Sequence, residues 1–176
     1  MLRTQEAVDY LLWLSCNADD SISNLKLQKL LYYAQGYCLA KLDKPLFDAP
    51  IESWQHGPVV KEVYHTYKTY GNGSIPCPKF FRLKKYRVQE REIMDEVYSI
   101  YGQFSAWTLR DMTHEEPLWR ETRDGEVIGT ARLREYFMTK VKTRPVIVQA
   151  EAKGWDEIAS EVLERRHKLW EKLAKV

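Results

Sequence analysis

At 176 residues the chain is long enough for one domain of ordinary size and too short for two. With 44% apolar and 30% charged residues it lies far from the composition of disordered chains, and no window approaches the roughly 18 uninterrupted apolar residues of a bilayer span. Its 27 Lys and Arg against 25 Asp and Glu leave +2, so any polyanion binding has to come from local clustering.

Residues 1–15 carry Arg3, Glu6 and Asp9 in place of a secretory apolar run, which makes a cytoplasmic protein the expectation. Cys16, Cys38 and Cys77 are odd in number and match no metal or disulfide spacing, so all three read as small buried hydrophobes.

The first helix is predicted over 4–15, where Ala7, Val8, Leu11, Leu12 and Ser15 recur at helical spacing and Glu6 favours the dipole of the first turn. Trp13 lies well round the wheel from that stripe, and the expectation is that another segment covers it. Ser23 or Asn24 caps a second helix over 25–41 whose stripe Leu27, Leu30, Leu31, Ala34, Cys38 makes it the central core helix. Gly36 in mid-helix costs about 1 kcal/mol relative to Ala, which points to close approach by another element. It shares a second face with Lys26, Lys29 and Tyr33. That face reads equally as solvated or as a docking surface for a partner.

Residues 42–50 are turn-rich, and 51–55 make a short strand at best. Gly57 reads as an N-cap and Pro58 as the first position of a third helix, with Val60, Val63, Tyr64 and Tyr67 inward and Gly71 as the left-handed stop. Residues 79–91 hold six cations, Lys79, Arg82, Lys84, Lys85, Arg87 and Arg91, against Glu90 alone, with Phe80, Phe81 and Tyr86 between them. Such a run either lies on its own domain with its cations reaching outward, the favoured reading, or forms a groove for single-stranded nucleic acid.

Ile93, Val97, Ile100 and Tyr101 mark a fourth helix ending at Gly102, and Ser105 caps a fifth that runs to His114. Pro117 stops continuation, 120–129 reads as loop, and Thr130 opens a sixth helix with Leu133, Phe137 and Lys140 inward. Beyond it, residues 140–176 carry nine Lys or Arg against six Asp or Glu. A short strand is predicted at 145–148 and an amphipathic helix over 155–173, with Trp155 and Trp170 on its apolar face. Such a face must bury against this domain, a second copy or a partner.

No nucleophile elbow or phosphate loop is present, and His56, His65, His114 and His167 show no metal-ligand spacing, so neither cofactor nor metal is expected. A nucleophilic Cys38 with His56 or His114 as base is the enzymatic alternative, set against its place on an apolar stripe. Glu115 and Glu116 read as a solvated pair.

The run from Leu25 to Gly36 (LKLQKLLYYAQG), then Pro45-Leu46-Phe47, then Glu52 to Val59 (ESWQHGPV), and finally Leu109, Thr113-His114 and Pro117-Leu118-Trp119 resembles the Panacea antitoxin domain over about 5–140. The resemblance implies a mostly helical domain, and with the pattern above the expectation is a mainly helical, compact single domain of about six to seven helices with a minor strand element, the extension at 141–176 lying outside the resemblance. It further implies a non-enzymatic antitoxin that binds and neutralises a toxin protein, some members handing the toxin to a protease. The candidate contact residues are then Lys26, Lys29, Tyr33, Gly36, Trp54, His56, Trp155 and Trp170, with Gly57, Pro58, His114 and Trp119 in structural roles. The runner-up is a nucleic-acid-binding regulator using Lys79, Arg82, Lys84, Lys85 and Arg87.

Overall fold

A computed structural model describes residues 1–143; the strand expected at 145–148 and the helix expected at 155–173, with Trp155 and Trp170, lie outside the described residues. The architecture is mainly helical. Among the described residues, seven α-helices and one two-stranded antiparallel hairpin succeed one another: α1 (Thr4–Asn17), α2 (Asn24–Leu42), β1 (Glu52–Trp54), β2 (Gly57–Val59), α3 (Lys61–Tyr67), α4 (Val88–Tyr101), α5 (Ala106–His114), α6 (Pro117–Arg120) and α7 (Thr130–Thr143).

Helix starts follow local chemistry. Ser23 Oγ accepts from the Lys26 N–H at 3.4 Å, and Ser105 Oγ accepts from the Thr108 N–H at 3.0 Å. At α1 the Glu6 carboxylate reaches back to the Arg3 N–H at 2.9 Å, filling an orphan donor of the first turn.

Everything is arranged around α2, which contacts α1, α3, α4, α5, α7 and β2. The predicted stripe Leu27, Leu30, Leu31, Ala34 and Cys38 is buried, and so is the opposite face. Lys26, Lys29 and Tyr33 are buried, and Phe137 of α7 sits directly on Gly36. The solvated or docking reading of that face is therefore corrected: Asp20 meets Lys26, the hairpin meets Lys29, Tyr101 of α4 stacks on Tyr33, and α7 covers Gly36. A helix enclosed all round is a core element even where it carries lysines.

The hairpin corrects a second expectation. Gly57 and Pro58 do not open a helix; they lie in β2, paired Trp54↔Gly57 and Ser53↔Pro58, and α3 begins only after Val60. Gly57 takes φ +94, a value that favours glycine and that closes the turn at Gln55 and His56. The outer edge of β1 is covered by the stretch expected to be loop, since the Ser53 N–H donates to Glu126 O at 2.8 Å and the Ile128 N–H to Ile51 O at 2.8 Å. Pro117 likewise starts the short α6 at its first position instead of only ending α5.

Cys16 and Cys77 form a disulfide, against the expectation of three unpaired cysteines; Cys38 is free and buried. The pairing is spatial. The Ile75 N–H donates to Ile22 O at 2.9 Å, which lays the loop after α3 beside the end of α1. The same loop covers Trp13 as expected: Phe81 stacks on it with centroids 4.6 Å apart and planes at 8°.

Candidate partner-binding surface

One helix fixes the path of two distant segments through main-chain atoms. Gln35 Nε2 donates to Phe47 O at 3.0 Å, and Gln35 Oε1 accepts from the Leu46 N–H at 2.8 Å and the Phe47 N–H at 3.2 Å. Gln28 Oε1 accepts from the Val60 N–H at 2.8 Å, and the Lys29 ammonium donates to Pro58 O at 2.9 Å. These are the free edge groups of β2, so α2 side chains close the hairpin where a further strand would otherwise pair. Each bond is worth about 1 kcal/mol net, but leaving a buried partner orphaned costs about 1–3 kcal/mol.

The Lys29 clamp explains the glycine beside it. A β-carbon at Gly57 would lie 2.6 Å from Thr113 Oγ1 and 2.7 Å from Lys29 Nζ. Burial, and secondarily the nearby Arg110, pulls the Lys29 ammonium down to about 7.

Glu116 is the second hub. Expected to be solvated, it is buried, accepting from the Tyr32 hydroxyl at 2.5 Å and the Tyr33 hydroxyl at 3.3 Å and pairing with Lys140 of α7. The Tyr32 hydroxyl is held well above its ordinary range, first by burial and then by the Glu116 charge. Only Glu115 of the pair is exposed.

Outside this framework the hairpin, α5 and α6 present a patch of aromatic and basic side chains. The Trp119 Nε1–H donates to Trp54 O at 2.8 Å, and a cleft of about 370 Å³ lies between them, lined also by Gln55 and Arg120. His114 stacks on Trp119 at 3.7 Å, and Tyr64 meets Trp54 edge-on at 5.0 Å. Beyond the turn, His56 is exposed and meets Trp107 at 5.9 Å, with the Arg110 guanidinium 5.8 Å from the same indole. Burial, then Arg110 and Lys29, hold His114 below its ordinary value, which favours the neutral ring.

Of the residues singled out from sequence, the structure brings Trp54, His56, His114 and Trp119 to this one side. Lys26, Lys29, Tyr33 and Gly36 lie beneath the surface; Lys26 pairs with Asp20 at 2.8 Å. Trp107, which is 58% exposed, was missed. Its signal was a large aromatic on the polar side of α5, two residues before the buried Leu109.

The basic run lies on its own domain, the favoured reading. Phe81 and Tyr86 pack against Tyr10, the Tyr86 hydroxyl donates to Glu6 O at 3.0 Å, and Lys85 pairs with Glu6 at 2.6 Å. Cys38, enclosed in the core, has its thiol pushed up to about 11 by burial, which suppresses the thiolate a nucleophile needs. Among the described residues no cluster of His, Cys, Asp or Glu could hold a metal ion, and no helix is long and apolar enough to cross a membrane.

The helical fold and its spaced motifs define a class. The family model "Antitoxin SocA-like, Panacea domain" matches residues 27–120, more than half of the chain, and the chain belongs to that family. Among characterised proteins, it is similar to Antitoxin SocA of Caulobacter vibrioides (strain NA1000 / CB15N), with 45% identity over 53 residues. That stretch is 30% of this chain and 28% of the relative, so the similarity spans less than a third of either. No solved structure matches.

Proposed function

We propose that this chain is the antitoxin of a two-protein system and neutralises its toxin by binding it directly, without catalysis. Membership of the SocA-like antitoxin family carries the proposal. The aromatic side of the domain supports it, because Trp, Tyr and Arg clustered on a rigid frame are the residue types that dominate binding energy at protein interfaces. Trp54, His56 and Trp107 are the contact residues on the described domain, and the cleft between Trp54 and Trp119 receives a side chain of the toxin. Trp155 and Trp170 of the C-terminal extension add contacts that set partner choice. Delivery of the toxin to a protease is a further step open to such a complex.

The test is co-expression with the polypeptide of the neighbouring reading frame. Cells survive that polypeptide only when this chain is present, and the two proteins co-purify. His56→Ala with Trp107→Ala, two surface changes, weakens the complex by about 2–4 kcal/mol while the isolated protein keeps its melting temperature. A neighbour that is harmless alone, or protection without any complex, refutes neutralisation by binding.

A further inference from the structure

Phe81, Lys85 and Tyr86 anchor residues 79–88 to the domain, and the outward side of that stretch is a surface the fold does not use. Lys85 is spent on Glu6, but Lys79, Arg82, Lys84 and Arg87 are exposed and have no ion pair among the described residues. In their midst Phe80 is 91% exposed, Val88 58% and Leu83 37%. A chain with nearly equal numbers of acids and bases ordinarily disperses such charges among carboxylates. Here the described segment holds four unpaired cations round a bare phenyl ring.

The surface is also held rigid. The Cys16–Cys77 disulfide fixes the chain just upstream, the Phe81–Trp13 stack fixes it in the middle, and the Tyr86 hydroxyl on Glu6 O fixes it below. The Lys85 N–H donates to Arg82 O at 3.1 Å and the Tyr86 N–H to Leu83 O at 3.1 Å, folding residues 82–86 into a tight turn, and Phe80 directly precedes the stacked Phe81. A side chain displayed on an immobilised turn loses little freedom when a partner covers it.

We infer that residues 79–88 are a second contact surface of this chain, built for an acidic protein face with an apolar notch that takes Phe80, and that the toxin supplies this face. The inference rests on the antitoxin reading above. Single-stranded nucleic acid fits less well, because the rings that would form a track for successive bases, Trp13, Phe81 and Tyr86, are already stacked or buried within the domain. Leu83 and Val88 also offer bases nothing to stack on. Charge complementarity of this kind steers encounter as well as strengthening the complex, so binding should weaken as salt is raised.

The experiment uses the full chain and the polypeptide of the neighbouring reading frame. Binding is measured from about 50 to 200 mM salt for the wild type, for K79E/R82E/K84E/R87E, and for F80S as the milder variant. The expected result is binding about 100-fold weaker for the charge reversal with its salt dependence lost, and about 10-fold weaker for F80S, both with unchanged melting temperatures. Should the reversal lower the melting temperature, F80S decides. Variants that bind as tightly as wild type overturn the inference. So does patch-dependent binding of an oligo-dT of about 20 nucleotides, or of vesicles rich in anionic lipid, with toxin binding unaffected. A wild-type chain that neither binds nor protects against the polypeptide fails the antitoxin reading itself, a result distinct from failure of the variants alone.

Discussion

Gly36→Ala should destabilise the domain, although alanine is the better helix former. In an exposed helix the change gains about 1 kcal/mol. Here the added β-carbon lies under 3.0 Å from three carbons of the Phe137 ring, too close for any real contact. Phe137 cannot easily step aside: it is fully buried, with ring centroids 5.3 Å from Tyr32, 5.9 Å from Tyr37 and 5.3 Å from Tyr136. If the ring is forced off its seat the cost approaches the roughly 3–5 kcal/mol of deleting a core phenylalanine; if α7 shifts instead, overpacking costs roughly 1–3 kcal/mol. Set against the propensity gain of about 1 kcal/mol, the two routes leave a net loss centred on about 2 kcal/mol, or a fall of roughly 4–8 °C in melting temperature for a domain of this size. Urea and thermal unfolding of wild type and variant measure it. The sign supplies a sharper check: with Phe137→Ala already present the obstruction is gone, and Gly36→Ala should then stabilise by about 1 kcal/mol. A variant as stable as wild type in the unaltered background would refute the claim that the glycine exists to seat this ring.

Lys29 has its ammonium lowered in the folded chain, so between about pH 7 and its unfolded value the unfolded state binds more protons and stability rises with pH. Lys29→Met should flatten that rise, read from urea midpoints at pH 7 and about 10; an unchanged slope assigns the dependence elsewhere. Reducing the Cys16–Cys77 bond releases a cross-link spanning a sequence separation of 61, worth up to about 4 kcal/mol by loop entropy. The melting temperature should fall on adding dithiothreitol, and should not respond in Cys16→Ser/Cys77→Ser.

What the sequence reveals follows the range of the interaction. Ser23 and Ser105 are legible as caps because a cap is settled within three residues, and the core stripe of α2 because period alone sets it. Gly36 is legible as a close approach, though not its partner, Phe137, about a hundred positions away. Gly57-Pro58 misleads because the pair suits both a helix start and a turn, and the choice is made by pairing with 52–54 and by Lys29 on Pro58 O. Lys26 and Lys29 look like surface because lysines ordinarily are. Each is interior because it meets a specific acceptor, Asp20 or Pro58 O, visible only in three dimensions. Glu116 and the disulfide escape for the same reason.

The surface and the motifs also differ in what they constrain. Gln28, Lys29 and Gln35 hold their targets through backbone N–H and C=O groups, which every residue but proline supplies in full. The path of the hairpin and of the 46–47 segment is therefore fixed almost independently of the side chains those segments display. Gly57 is the exception, tied to its identity by φ +94 and by the lack of room beside Lys29 and Thr113. Gln55 and His56, at the turn, and Phe80, on its own tethered loop, face solvent with no comparable tie. Changing them alters what the domain offers a partner at little cost to its stability, whereas changing Lys29, Gly57 or Glu116 alters the frame. Substitutions that redirect binding should therefore be found at the first group and not at the second.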